Sequence, residues 1–306
     1  MKGKYRFVAA LLLVVLAGAG IFVRLYGNGT PAAKDGKLKV VTSFYPVYIA
    51  AANVAGDCEG IEVLNLSEPQ TGCLHDFVLT PEDMQMLSRA DLFLINGGGM
   101  ETFLEEVASQ YPSLAVVETA EGLLDGENAH VWMGIARYRA QVSAVLDALV
   151  RMAGAYQDEL KANAAAYDAK LAGLQEQQEE LKDAIAGGKI ISFHEAYEYL
   201  AADYGLEIAV TLDLDEERQV GAGEVTEVIN AIKTDGADVI LAEALYGREM
   251  AETIQKEADV KVCFLDTLVR GDDSLDSYIN GMQENINILR KAFLPSGELE
   301  KEGITS

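Results

Sequence analysis

The chain has 306 residues, half of them apolar, which is long enough for two domains of ordinary size, each with its own core. Its 49 acidic and 24 basic residues leave a net charge of −25, a balance that repels nucleic-acid backbones and anionic lipid and excludes a DNA- or RNA-binding role. Such an excess marks a solvated surface and does not by itself argue for a cation site.

Lys2, Lys4 and Arg6 precede 17 residues, 7–23, that carry no charge. This pattern predicts an export signal or a membrane anchor, and either one places the rest of the chain outside the cytoplasm. Ala17-Gly18-Ala19 offers a small-residue cleavage site, and with no cysteine nearby, lipid attachment there is excluded. Small and polar residues over 27–37 form a spacer, so residues 1–37 are set aside from the fold.

From residue 38 strand-like and helix-like patterns alternate, which predicts an α/β fold with mostly parallel sheets. Strands are expected over 38–44, 61–66, 92–96 and 114–118, with helices over about 47–55, from Thr80-Pro81 onward, and over about 101–110. Thr80 as cap with Pro81 and Glu82 in the first turn is a strong helix start. Gly97-Gly98-Gly99 belongs to no phosphate-binding pattern. Over about 156–185 one stripe of Leu160, Ala164, Tyr167, Leu171, Leu174, Leu181 and Ile185 predicts a single long amphipathic helix, ended by Gly187-Gly188. A helix of that length reads as a rigid spine between two α/β lobes, 38–155 and 187–306, with residues 156–186 joining them. In the second lobe strands are expected over 189–193, 207–211, 238–242 and 261–265, with helices over about 195–204, 224–233, 248–258 and 276–293.

The three histidines of the chain share one kind of position. His75, His130 and His194 each follow a predicted strand, as does Asp266, and ligands in open α/β sheets bind at that carboxyl edge. Two of the four come from each lobe, so a cleft between the lobes would bring them together. Three imidazoles and a carboxylate are what zinc accepts, and other first-row divalent ions less selectively. Against this stands the plain alternative of loop histidines and an N-cap aspartate, since no H-E-x-x-H or C-x-x-C motif is present.

At these residues the chain resembles a known family, the zinc- and manganese-binding solute-binding proteins of ABC importers. V-V-T-S-F-Y-P-V-Y is similar to its first strand and helix entry, and L-H-D-F-V-L-T-P-E-D to its first histidine segment. A-D-L-F-L-I-N-G-G-G-M-E, A-H-V-W, F-H-E-A-Y-E-Y-L, A-E-A and L-D-T-L resemble the segments that follow. The likeness runs from about 39 to 293. It implies two α/β lobes joined by one long helix, a single divalent ion held by His75, His130, His194 and Asp266, and delivery to a membrane permease. Zn²⁺ is expected, since glutamate in place of the third histidine goes with manganese in that family; Mn²⁺ is the alternative, through a bidentate Asp266. The chain departs from the family at Cys73-Leu74, at Asn128-Ala129, where Asp-Pro is common, and at Thr267. Glu243 in A-E-A is either a supporting carboxylate or simply a strand end.

No catalytic residue is expected, and a monomer is. Two other classes stay open: a zinc hydrolase with Glu195 as its base, and a surface adhesin with a structural metal. Cys58 and Cys73, 15 residues apart in an exported chain, are expected to form a disulfide, with Cys263 a buried thiol.

Overall fold

The computed structural model describes residues 36–67, 77–212, 214, 221–245, 247–272 and 274–294. The predicted leader, the His75 loop with Cys73, and the tail after residue 294 lie outside the described residues.

Two four-stranded sheets, all parallel, carry the fold. The first has β1 (Leu38–Thr42), β2 (Ile61–Asn65), β3 (Leu92–Ile95) and β4 (Ala115–Glu118), in the order β2-β1-β3-β4. The second has β5 (Lys189–Ser192), β6 (Glu207–Thr211), β7 (Val239–Ala242) and β8 (Lys261–Phe264), and repeats that order as β6-β5-β7-β8. In each sheet one central strand is apolar throughout, because helices cover both faces: all four residues of β3 and of β7 are buried. In both orders the chain reverses direction between the first and third strands, the place where open parallel sheets bind ligands.

The first sheet is flanked by α1 (Tyr45–Ala55), α2 (Pro81–Leu87) and α3 (Leu104–Gln110). α2 starts as its sequence requires: the Thr80 hydroxyl accepts from the Asp83 N–H, and the Asp83 carboxylate accepts from the Thr80 N–H at 2.7 Å. α3 starts three residues later than expected. The Glu101 carboxylate turns back to accept the Asn96 and Gly97 N–H groups at 2.8 and 3.0 Å, holding the triple-glycine turn instead of opening the helix. All three of these glycines have positive φ. A Cβ on Gly98 would lie 2.8 Å from Leu124, so the turn lets the loop after β4 pack close against it.

Between the His130 loop and the long helix lies an element not expected from the sequence, α4 (Ile135–Met152). It buries Ile135, Tyr138, Val142, Val145 and Leu149 at helical spacing. α5 (Gln157–Ile185) is the spine, roughly 44 Å long at 1.5 Å per residue. Its buried stripe is the predicted one, and Gly187 at φ +80° follows its end. Arg139 of α4 forks onto Asp168 of α5 at 2.7 and 2.8 Å. The second sheet is flanked by α6 (Tyr197–Tyr204), α7 (Ala222–Asn230), α8 (Arg248–Glu257) and α9 (Ser277–Phe293).

One buried apolar cluster runs from Leu38 to Ala292 and includes residues of both sheets, α4, α5 and α9; a smaller one lies on the other face of the second sheet. Residues 37–306 accordingly form one compact unit. Tyr45 donates to Ser277 at 2.7 Å, Tyr278 to the Trp132 carbonyl at 2.7 Å, and Asn53 to the Leu275 carbonyl at 2.8 Å, all across the two halves.

Cys58 corrects the disulfide expectation, because it carries a free, buried thiol. It precedes β2, at the amino edge of the sheet. Cys263 is also a free buried thiol, as expected, and burial pushes its pKa up to about 12.

Candidate metal centre

His130 and His194 come together at the carboxyl edges of the two sheets. His194 follows β5 by two residues; the Ser192 hydroxyl donates to its carbonyl at 2.7 Å and pins the turn. His130 closes the loop after β4, where Asn96 donates to the neighbouring Ala129 carbonyl at 2.9 Å. Both rings are buried, and their centroids are 5.1 Å apart, edge to face. Two imidazoles on one tetrahedral ion, with metal–nitrogen bonds of about 2.0–2.1 Å, would place their centroids roughly 5 Å apart. The observed spacing therefore suits shared ligation.

The two rings differ in their hydrogen bonds. Nδ1 of His130 lies 3.0 Å from Asn128 Oδ1 and 3.4 Å from Glu195 Oε1. Nδ1 of His194 accepts the Ala196 N–H at 3.1 Å, so its proton sits on Nε2. His194 has to turn, or release that proton, before Nε2 can serve as a ligand.

Asp266 follows β8, and its segment is tied to both histidines through their aromatic neighbours. Trp132, with its ring 5.0 Å from His130, donates to the Thr267 carbonyl at 2.8 Å. Tyr197, with its ring 6.1 Å from His194, donates to the Leu265 carbonyl at 2.9 Å. Buried Asn285 of α9 clasps the Asp266 backbone, accepting its N–H and donating to its carbonyl, both at 2.8 Å. The Asp266 carboxylate accepts the Leu268 N–H at 2.7 Å, and Leu268 at φ +60° is the one non-glycine residue with positive φ among the described residues. That conformation costs a leucine about 1–2 kcal/mol, strain of the kind held at binding sites. Solvent reaches the Asp266 side chain, yet burial, the largest cause, raises its pKa against the Leu268 hydrogen bond and the Arg270 charge. A bound cation would offset that burial cost.

His75 lies outside the described residues. Among the described residues no group of three or more His, Cys, Asp or Glu side chains is placed to hold a metal. Glu243 directly follows β7 and is half-buried. Several residues of the site have no role in the sequence reading: Asn128, Trp132, Tyr197, Tyr199 and Asn285. The only signal for them is that aromatic residues stand two and three positions after the histidines.

The family described as zinc-uptake complex component A, periplasmic, matches residues 40–292. The iron-binding protein YfeA of Yersinia pestis is 27% identical over 300 residues, covering 93% of this chain and 96% of its own. The manganese-binding lipoprotein MntA of Halalkalibacterium halodurans is 24% identical over 300 residues, with 92% and 96% covered. Among solved structures, the Zn(II)-bound ZnuA-like domain of Streptococcus pneumoniae AdcA superposes with a TM-score of 0.72 at 27% identity, over 84% of this chain and 99% of that one. With two parallel sheets, a spine helix and paired histidines at the sheet edges, the chain belongs to the zinc-uptake component A family, the metal-binding solute-binding proteins of ABC metal uptake.

Proposed function

We propose that this protein captures one Zn²⁺ ion with His75, His130, His194 and Asp266 and hands it to the membrane permease of an ABC importer. The observation that carries the proposal is the pair of buried histidines from two separate sheets, their rings 5.1 Å apart. Trp132 and Tyr197 donate to the carbonyls on either side of Asp266, and Asp266 and His75 are assigned from their motifs. Relatives are named for iron, manganese and zinc, so the family leaves the ion open. A nitrogen-rich set of three imidazoles and one carboxylate favours zinc over manganese, which prefers more oxygen ligands.

The protein works outside the cytoplasm, held or exported by residues 7–23, as a monomer whose lobes, 38–155 and 187–306, meet at the site. A hydrolase would need Glu195 beside a metal-bound water. Its carboxylate instead lies 3.4 Å from Nδ1 of His130, the nitrogen remote from an ion on Nε2. The test is elemental analysis and competition titration of the purified protein. One zinc per chain is expected, with large losses of affinity in His75→Ala, His130→Ala and His194→Ala. Unchanged affinity in two of the three refutes the site, and displacement of zinc by manganese at comparable concentration refutes the choice of ion.

A further inference from the structure

The half-buried side chain of Asn128 uses both ends of its amide, and its partners fix which end is which. On one side the His130 backbone N–H, a donor in every state, lies 2.9 Å from Oδ1. On the other side the Glu195 carbonyl at 3.0 Å and the Glu198 carboxylate at 2.9 Å can only accept, so that end is the NH₂ group. Oδ1 is therefore an acceptor, and it lies 3.0 Å from Nδ1 of His130. A neutral imidazole facing an acceptor at Nδ1 carries its proton there and keeps its lone pair on Nε2.

The same residue joins the two halves of the site. Glu195 is the neighbour of His194, and Glu198 lies in α6, which follows it. The Asn128 carbonyl accepts from the Tyr199 hydroxyl at 2.6 Å, and that hydroxyl accepts the Asp125 N–H at 2.8 Å. Arg137 of α4 lies over the Tyr199 ring, 4.5 Å from its centroid. The loop bearing His130 is thus fastened to the first turns after His194.

We propose that Asn128 is a positioning residue of the metal centre: it sets His130 in the Nδ1–H tautomer, leaving Nε2 as the lone-pair nitrogen, and clasps the His130 loop to the His194 segment. This rests on the zinc-capture reading for its purpose, but not for its test. A metal ligand whose second nitrogen donates to a fixed acceptor is pre-oriented, and removing such an acceptor costs about 10–100-fold in metal affinity. His130 arrives ready, whereas His194, with the opposite tautomer, has to rearrange. Glu195 at 3.4 Å is the second acceptor and not the one that sets the proton.

Long-range proton–nitrogen NMR of the metal-free full chain, with the imidazoles neutral, reads the tautomer directly. The expected result is the Nδ1–H signature at His130 in the wild type and in Glu195→Ala. Asn128→Ala should give a mixture of tautomers and a zinc affinity lower by about 10–100-fold. Asn128→Asp retains the acceptor oxygen but loses both amide donors, so it should keep the Nδ1–H signature while cutting the clasp. An Nε2–H signature in the wild type overturns the proposal, even if the variants fail to fold. So does a tautomer that changes in Glu195→Ala but not in Asn128→Ala. A wild-type chain that shows the Nδ1–H signature and takes up no zinc refutes the zinc-capture reading and leaves the assignment of Asn128 standing.

Discussion

Removing one oxygen tests whether the Asp266 segment is seated by the aromatic neighbours of the histidines. Tyr197 is fully buried, and its hydroxyl donates to the Leu265 carbonyl, one residue before the carboxylate. Tyr197→Phe keeps the ring and its packing but strands that carbonyl, which costs about 1–2 kcal/mol, within the range for a buried acceptor left unpaired. For a chain of this size the melting temperature of the metal-free protein should fall by roughly 2–8 °C. If the carbonyl shifts to find another donor, Asp266 moves with it, and zinc affinity should fall by about 10–100-fold, the usual effect of losing a group that orients a ligand. Each tenfold loss also removes about 1.4 kcal/mol of zinc-induced stabilisation. Calorimetry with and without zinc, together with chelator competition, measures both effects. Tyr204→Phe is the control: the Tyr204 hydroxyl is buried with no hydrogen-bond partner among the described residues, so its loss should leave stability and zinc affinity unchanged. A Tyr197→Phe protein that melts lower but binds zinc with wild-type affinity would refute the link between this hydroxyl and the Asp266 geometry.

Because Cys58 and Cys263 are both free, the unfolded protein should titrate three thiols without reductant; any smaller number contradicts the structure. The shared core and the hydrogen bonds from Asn53, Tyr45, Tyr278 and Trp132 across the halves predict that zinc tilts the lobes by only a few degrees. Solution scattering should show almost no change in radius of gyration, and a large contraction on adding zinc would contradict it. Three carboxyls with raised pKa should each contribute stability to the metal-free protein at acid pH that is lost as the pH rises. Burial raises the pKa of Glu101, Asp203 and Asp266, so in each case the folded state holds its proton more tightly than the unfolded chain, whose carboxyls titrate near 4. Their contribution is complete below the unfolded value and is lost as pH rises through the raised folded values. Asp168 acts in the opposite sense, its pKa lowered first by the Arg139 hydrogen bond, so it removes stability only at still lower pH. In thermal melts the wild type should lose stability relative to Glu101→Gln as the pH rises, and a difference between the two that does not change with pH would refute the assignment.

The elements themselves were legible because local physics specifies them. Central strands such as Leu92–Ile95 and Val239–Ala242 are short apolar runs, and Thr80 and Asp83 write a helix start into four residues. The stripe of α5 is long enough to leave no other period. Helix α4 was legible too and was missed: Ile135, Tyr138, Val142, Val145 and Leu149 recur every three or four residues, with Arg137, Arg139 and Asp147 between them and Arg151 after them. The candidate ligands could be named from their shared place after strands, a pattern along the chain. Their supports could not: Asn128 meets Glu195 and Glu198 from 67 and 70 residues away, Trp132 meets Thr267 from 135, and Tyr197 meets Leu265 from 68. The Cys58–Cys73 expectation failed because Cys58 is a free, buried thiol, which spacing along a chain does not reveal. Sequence determined the residue types and, for His130, His194 and Asp266, the edge on which they fall. Tertiary structure decided which nitrogen of His130 and of His194 bears the proton, since a tautomer depends on what atom stands opposite, and only the folded turns set Asn128 Oδ1 and the Ala196 N–H there.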